Sequence, residues 1–405
     1  CLQMISVSTR NVVITVVAAV ANSILERLVE VTDFVNHETE MKDQKHANKK
    51  AMVAMSGGVD SSTVALILRE QGYEVTGVTG RMFVNEDIGL VDESRCCSLA
   101  DVEDARLAAH KIGASHYVYN MGDCFKKTVI QPFIDAYLAG DTPNPCVNCN
   151  KYVKFPQLLE RALLLGIEYL ATGHYAKVFY DQTKKRWLLA RAEDESKDQT
   201  YMLYGLTQHE LSHLLLPLGN FKKSEVRAKA GEAELINASK PDSQDICFVP
   251  DGNYADFIER YSGKKQEPGD FVLQSGEVIG RHKGLIHYTL GQRKGLGIAY
   301  KEPLYVLAKD ADSKTVVLGP EKDLYKKEFL VDDCNFIAIE KLTDSMHVTC
   351  KVRYRMQDEP AIIEPADDGK VKVTFMKAQR AITSGQAAVF YDGDLVVGGG
   401  TIISD

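Results

Sequence analysis

One short string constrains this chain more than any other. Ser56-Gly57-Gly58-Val59-Asp60-Ser61-Ser62 follows a short apolar run, Ala51 to Met55. It opens a helical pattern from Ser61 to Gln71, with Val64, Ala65 and Leu68 on one face and Gly72 as the stop. Two glycines in that place let the backbone take conformations closed to other residues and approach an anion. The N–H groups at the start of the following helix point at such an anion, and the helix dipole favours negative charge there. Ser56, Ser61 and Ser62 add hydroxyl donors. Asp60 does not welcome phosphate directly and reads as a Mg²⁺ ligand or a helix cap. The Walker pattern G-x-x-x-x-G-K-[ST] does not occur. A plain strand–helix turn is the bland reading, and the full string in this setting favours a phosphate loop.

The surrounding pattern supplies the fold class. Strand-like runs at Glu74 to Thr79, His116 to Asn120 and Glu168 to Thr172 alternate with helical patterns. The helical patterns cover Ser98 to Lys111, Cys124 to Leu138 and Phe155 to Leu165. Ser98 and Asp101 make a capping-box-like start. Such alternation predicts an α/β parallel sheet. Glu210 to Leu215 and Lys223 to Ala238 add helical pattern. Beyond Asp245 glycines cluster, and from about Leu324 short alternating runs such as His347 to Tyr354 predict an antiparallel barrel. The expected organisation is an extension over residues 1–49, a phosphate-loop domain over 50–245, a small central domain over 246–323 and a C-terminal β-barrel over 324–405. A length of 405 residues agrees with two or three domains.

The start of the chain has two readings. Asn11 to Ala21, after Arg10, has the shape of a signal peptide. Glu38 to Lys50 is polar and reads as a linker, so the working protein is expected to begin near Lys49. No apolar run reaches the ~20 residues that span a bilayer. The net charge of −8 excludes a broadly basic nucleic-acid coat, so any nucleic acid must be met by local patches. Nine unevenly spaced cysteines fit a reducing, cytoplasmic setting better than a disulfide scaffold.

Some of those thiols read as chemical. Asp141 to Asn150 is D-T-P-N-P-C-V-N-C-N, with Cys146 and Cys149 three apart after two stiffening prolines. Cys247 lies in S-Q-D-I-C-F near the end of the first domain. A useful thiolate needs a lowered pKa, and Lys151 and Lys154 are close in sequence. Structural zinc would need a second close pair, and Cys96-Cys97 is poorly spaced for it. Cys124, Cys334 and Cys350 read as packing residues.

The phosphate loop resembles that of the N-type ATP pyrophosphatases, which cleave ATP between the α and β phosphates and adenylate a carbonyl oxygen. P-N-P-C-x-x-C-N narrows the resemblance, together with A-T-G-H-Y-A at Ala171 to Ala176, K-D-Q-T-Y-M at Lys197 to Met202 and S-Q-D-I-C-F. So do H-Y-T-L-G-Q-R-K-G-L-G at His287 to Gly297, V-R-Y-R at Val352 to Arg355 and S-G-Q-A-A-V-F-Y at Ser384 to Tyr391. From about residue 50 onward the chain is similar to the bacterial-type tRNA-specific 2-thiouridylases, the MnmA family.

The resemblance implies a parallel-sheet ATP pyrophosphatase domain, a small central domain and a C-terminal β-barrel. It also implies ATP, Mg²⁺, an adenylated wobble uridine of tRNA, and sulfur delivered by a cysteine desulfurase or a relay protein. Carried over by position, Ala54, Met55, Ser56, Gly57, Gly58, Val59, Asp60 and Ser61 hold the ATP phosphates. Gly80 and Gly173 lie against the nucleotide. Cys149 is the nucleophile and Cys247 carries a persulfide. Asn144, Pro145 and Cys146 face the target base, while Lys197, Asp198 and Gln199, with Arg353 and Tyr354, contact tRNA. Many members have Asp where this chain has Cys146, so a general acid/base there does not carry over. Three thiols, Cys146, Cys149 and Cys247, would suit a [4Fe–4S] cluster with one open iron; a persulfide-and-disulfide route needs only two.

An anticodon arm would need cationic patches, and the candidates are Lys222-Lys223, Arg281-His282-Lys283, Arg293-Lys294 and Lys351/Arg353/Arg355, with Tyr288 and Tyr354 interleaved. Each alone reads as a solvated face. The alternatives are another adenylating enzyme on the same loop, such as an amidotransferase-type synthetase or other tRNA thiolase, and a non-catalytic RNA-binding or metal-storage protein. The first would need an ammonia source or amino-acid pocket; the second would release no AMP.

Overall fold

The structure is a computed structural model that describes residues 49–83, 99–242, 246–249 and 252–403. The signal-like segment, nearly all of the polar lead-in, Cys96-Cys97, Ser98 and Ser243 to Asp245 lie outside the described residues.

Strand β1 (Lys50–Ala54) carries Ala51, Met52 and Val53 fully buried, as a strand covered on both faces must. It pairs in parallel with β2 (Glu74–Arg81) and, on its other side, with β4 (Tyr169–Ala171). With β3 (Ser115–Asn120) and β7 (Leu214–Leu215) the order is β3-β2-β1-β4-β7. The direction of winding therefore reverses at β1. The loop leaving its carboxyl end opens into the crevice between β1 and β4, where such sheets take ligands. That loop enters α1 (Val59–Glu70), and α2 (Leu99–Lys111) links β2 to β3.

Two helices are longer than the sequence pattern indicates. Helix α3 spans residues 122–138, with a π segment at Lys126–Ile130. Helix α4 spans residues 145–164 and holds a π segment at Cys149–Lys154. Pro145 is tolerated at its first turn, and the Asn144 side chain caps it by accepting from the Val147 amide at 3.4 Å. The expected helix at Phe155 is thus the second half of one that begins at the cysteine string. The expected helix at Glu210 is α5 (Gln208–Ser212), with a Thr207–Glu210 capping box, followed by β7. Helix α6 (Lys223–Glu232) stops six residues before Ala238, and Glu234 just after it has φ +51°.

A hairpin of β5 (Lys177–Asp181) and β6 (Arg186–Ala190) has no counterpart in the sequence reading. Its β6 joins the barrel sheet rather than the parallel one, through Ala190 and Leu395. The central domain has α7 (Tyr254–Ser262) and a sheet ordered β10-β11-β8-β9. Its strands are β8 (Gly269–Leu273), β9 (Val278–His282), β10 (Tyr305–Asp310) and β11 (Thr315–Gly319). The barrel uses β12 (Tyr325–Phe336), β13 (Met346–Lys351), β14 (Glu359–Pro365), β15 (Val371–Arg380), β16 (Ala387–Asp392) and β17 (Leu395–Ile403). It closes by β12–β17 pairing, which removes its free edges.

One apolar core runs through all three parts. Phe125, Phe133, Phe248 and Phe257 are buried together, with ring centroids 5.2 Å apart for Phe133–Phe248 and for Phe248–Phe257. Tyr201 reaches into the barrel and donates to the Ala387 carbonyl at 2.8 Å. The stretch entering α4 is clamped to the barrel: the Thr142 amide donates to the Ser384 carbonyl at 3.0 Å and Gln386 donates to the Thr142 carbonyl at 2.7 Å. Between them Gly385 has φ +84°, and a Cβ there would stand 3.1 Å from the Thr142 carbonyl carbon. Gly385→Ala is expected to lower stability by about 1–3 kcal/mol through strain at this clamp. The midpoint of urea unfolding checks it, and an unchanged midpoint contradicts it.

Candidate active site

The phosphate loop is held from behind. Gly57 has φ +74°, and a Cβ on it would fall 2.3 Å from the Asp101 carbonyl oxygen, so no other residue fits there. Asn237 donates to the carbonyls of Gly57 at 3.1 Å and Gly58 at 3.3 Å, and to Ser62 Oγ at 2.8 Å. Lys240 donates to the Gly57 carbonyl at 3.3 Å and to Asp101 and Asp104 at 2.6 and 2.7 Å. In a trans peptide C=O and N–H point opposite ways. Tying the Gly57 and Gly58 carbonyls to Asn237 therefore turns the Gly58 and Val59 amides toward the other side, the crevice. Helix α1 starts at Gly58 without a side-chain cap, which suits an anion-binding end.

The other loop positions divide by task. Ser56 is exposed, and its amide donates to Ser61 Oγ at 3.2 Å. Ala54, Met55 and Val59 are scaffold: Met55 and Val59 are buried, and Met55 is bonded through its backbone to Val78 and Thr79. Gly80 ends β2 beside Met121, whose sulfur would lie 2.8 Å from an added Cβ. Gly173 follows β4 and packs on the loop helix, with a Cβ position 3.0 Å from the Ser61 amide.

Asp60 is placed differently from its expected metal role. Its two oxygens each accept from Lys223 Nζ at 2.7 Å, and the Tyr175 hydroxyl donates to it at 2.8 Å. Lys223 is itself buried, not part of a cationic surface, and its ammonium also meets Asp242 at 2.8 Å. Burial works against the Asp242 charge, but hydrogen bonds from Lys197 and Lys223 hold its pKa down at about 2. Asn237, Lys240, Lys223 and Asp242 were not singled out as loop partners by the sequence. The only local signal was the run S-K-P-D directly before S-Q-D-I-C-F.

A continuous line joins the loop to the cysteines. Next to Gly173, the His174 ring lies 5.6 Å from Phe155 of α4. Burial pushes the His174 pKa well down, and the Lys154 charge adds to this. Lys154 also acts on Cys146, the first thiol of α4. Cys146 is open to solvent on one side, yet enough protein surrounds it that burial pushes its thiol pKa up, against Lys154. The expected lowering by two lysines thus fails for Cys146. Lys151 is spent elsewhere: it pairs with Asp333 of the barrel at 2.5 Å, and that bond and one to Tyr152 raise its pKa despite burial. Cys149 is half-buried at the start of the π segment. Cys247 is exposed, on a segment anchored by buried Phe248 and Val249. Burial, with Asp332 and Asp333, raises the Cys334 thiol to about 12, and burial raises Cys350 further, as packing residues allow.

The residues expected at tRNA are partly used inside. Lys197 bonds Asp242 at 2.8 Å, and Gln199 accepts from the Tyr175 amide at 3.0 Å. Asp198 is buried, accepting from Thr200 at 2.6 Å and the Ala192 amide at 3.2 Å, and burial raises its pKa. Arg353 is half-buried and donates to the Ala381 carbonyl and, at 3.2 Å, to Thr383. Tyr354 is half-buried at the edge of the main core, 6.1 Å from Tyr201, and the Cys146 thiol contributes to raising its pKa after burial and Asp198. His282 and Tyr288 are buried, while Lys222, Arg281, Lys283, Arg293, Lys294 and Arg355 face solvent.

The donor set decides what the site fits. The loop fits a polyphosphate. Asp60, with both oxygens engaged, does not fit a metal as it stands. Among the described residues no three His, Cys, Asp or Glu side chains are grouped to hold a metal ion. Among the described residues no helix is long and apolar enough to cross a membrane.

A glycine-rich phosphate loop at the switch point of a parallel sheet, with helices around it and a barrel beyond, defines an N-type ATP pyrophosphatase with appended domains. Family models agree: the tRNA methyl transferase HUP domain matches residues 49–251, the tRNA methyl transferase PRC-barrel domain 255–320 and the aminomethyltransferase beta-barrel domain 326–402. The tRNA-specific 2-thiouridylase MnmA of Acetivibrio thermocellus is 54% identical over 358 residues, covering 88% of this chain and 99% of that protein. The MnmA of Clostridioides difficile strain 630 is 48% identical over 355 residues, covering 88% and 98%. A solved 4-thiouridine synthetase–RNA complex with bound ATP overlays at TM-score 0.34 and 18% identity, over 50% of this chain and 45% of that one, too loosely to carry an argument. The chain belongs to the tRNA-specific 2-thiouridylase family, MnmA.

A thiol raised by burial is mostly protonated at neutral pH. Alkylation of Cys146 by iodoacetamide, followed by peptide mass analysis, is expected to quicken about tenfold per pH unit from pH 7 to 9. Lys154→Met should shift the rise to higher pH. A plateau below pH 8 contradicts a thiol raised by burial.

Proposed function

We propose that this chain is an ATP-dependent tRNA sulfurtransferase that replaces O2 of a wobble uridine by sulfur. The observation that carries the reading is the line from Ser61 through Gly173, His174, Phe155 and Lys154 to Cys146. It supports a phosphate loop and a thiol helix working as neighbours, as a reaction that activates a base and then thiolates it requires.

A uracil carbonyl oxygen is a poor leaving group. The loop amides and exposed Ser56 hold the ATP phosphates while O2 of the base attacks the α-phosphorus and pyrophosphate leaves; the Ser61 and Ser62 hydroxyls, both donating to the Gly58 carbonyl at 3.2 Å, brace the loop instead. Backbone donors fixed by Asn237 stabilise the charge that builds on the phosphates. Cys247, exposed at the end of the domain, carries the incoming sulfur as a persulfide. Its terminal sulfur attacks C2, and AMP leaves with the former O2. Cys149 then attacks the Cys247 sulfur, the persulfide S–S bond breaks, and the sulfur stays on C2. The protein is left with a Cys149–Cys247 disulfide, which an external dithiol reduces. Cys146 and Asn144, at the start of α4, are the proposed base-facing residues. The base must leave its loop stack to arrive there. The exposed cations Arg281, Lys283, Arg293, Lys294 and Arg355 are the proposed phosphate contacts, while Arg353 bonds within the barrel and Lys197 to Asp242. A cysteine desulfurase or relay protein supplies the persulfide in a reducing cytoplasm.

The test incubates the full chain with anticodon-bearing tRNA, ATP and a persulfide donor, then digests the tRNA and weighs its nucleosides. Formation of 2-thiouridine with stoichiometric AMP supports the reading; AMP formation independent of tRNA overturns it. Cys149→Ser and Cys247→Ser are each expected to abolish thiolation, by at least about 10³-fold, while ATP binding stays within about twofold because neither touches the loop. Thiolation surviving in either variant removes that cysteine from the scheme.

A further inference from the structure

The Asp60 site is a cation site that the chain has already filled. Asp60 is in the first turn of α1, and Lys223 opens α6 with its side chain 11% exposed. An ammonium has three N–H groups. Lys223 directs them at Asp60 Oδ1 and Oδ2, 2.7 Å each, and at Asp242 Oδ1, 2.8 Å. The remaining groups around it complete the shell. Tyr175 donates to Asp60 and lays its ring 5.8 Å from the ammonium. Lys197 and Arg227 pair with Asp242 at 2.8 and 2.9 Å, and Asp194 accepts from the Lys223 backbone amide at 2.9 Å. Among the described residues Asp242 therefore keeps two cations if Lys223 leaves, and Asp60 keeps none.

We propose that Lys223 is the resident counter-ion of Asp60 and keeps divalent metal off that carboxylate while no nucleotide is bound. Mg²⁺ and Mn²⁺ need oxygen ligands with open lone pairs and hold their waters tightly. Here both carboxylate oxygens are engaged, and a dication would have to approach an ammonium in contact with them. Removing the ammonium leaves a half-buried carboxylate uncompensated, which costs energy and draws in another cation. The inference rests on reading the loop as the nucleotide site only in naming the nucleotide-free state.

The test is Mn²⁺ titration of the full chain without nucleotide, followed by the paramagnetic resonance of free Mn²⁺. Wild type and Asp60→Asn are expected to bind Mn²⁺ identically. Lys223→Met should gain one ion bound about tenfold or more tightly. That ion should vanish in the Lys223→Met/Asp60→Asn pair, and Lys223→Arg should behave as wild type. An ion lost from wild type on Asp60→Asn overturns the proposal, as does no gain in a Lys223→Met protein with native circular dichroism. Should Lys223→Met fail to fold, the comparison of wild type with Asp60→Asn decides alone. Binding of a fluorescent ATP analogue is measured separately. Its absence would sink the nucleotide reading and leave the metal result standing.

Discussion

Between the first strand and the first helix lies a turn with no room for a side chain. Gly57 meets the Asp101 backbone so closely that the phosphate loop packs directly on the first turn of α2. Asn237 and Lys240 then tie that loop to the segment after α6. The bonds fall on loop carbonyls, on the Ser62 hydroxyl and on neighbouring carboxylates, so the side facing the crevice is left to amides. On the proposed reading, the loop's fit to an anion comes from this restraint on its far face more than from any residue that would touch the anion.

The barrel is less an appendage than a wall of the site. It holds the entry to α4 through Ser384 and Gln386, and the π segment through Asp333 and Lys151. It also lends Tyr354 to the cysteine side. Asp333 sits at φ +50° where β12 shifts register against β17, an unusual backbone state that aims its carboxylate at α4. Buried Asp198, Thr200 and Tyr391 continue the same seam inside. Around Cys146 the surrounding protein raises the thiol pKa and outweighs the pull of Lys154.

Much of this was legible in sequence where the signal was local. The loop string, the strand–helix alternation and the cysteine spacing each lie within one stretch of chain, and each marks an element the structure contains. The beginning of α4 was not legible because two prolines and a π segment break the helical period. The β5–β6 hairpin was hidden because D-Q-T-K-K separates two half-buried runs of ordinary composition. Lys223 looked like a surface cation beside Lys222, since nothing local shows that Asp60 is its partner across the fold. Asp198 and Gln199 matched a tRNA-facing triplet by position, yet their bonds run inward. Burial is a property of the assembled fold, and no spacing rule announces it.

The junction of Ala190 with Leu395 has a consequence for how the molecule is made. On a ribosome the β5–β6 hairpin emerges long before the strand that receives it. Until β17 has been synthesised, one edge of β6 has its backbone groups turned to water or to whatever else is near. The parallel sheet can assemble early from neighbours in sequence, whereas the seam beside the cysteines must wait for distant chain. The catalytic half of the protein is thus translated first and finished last.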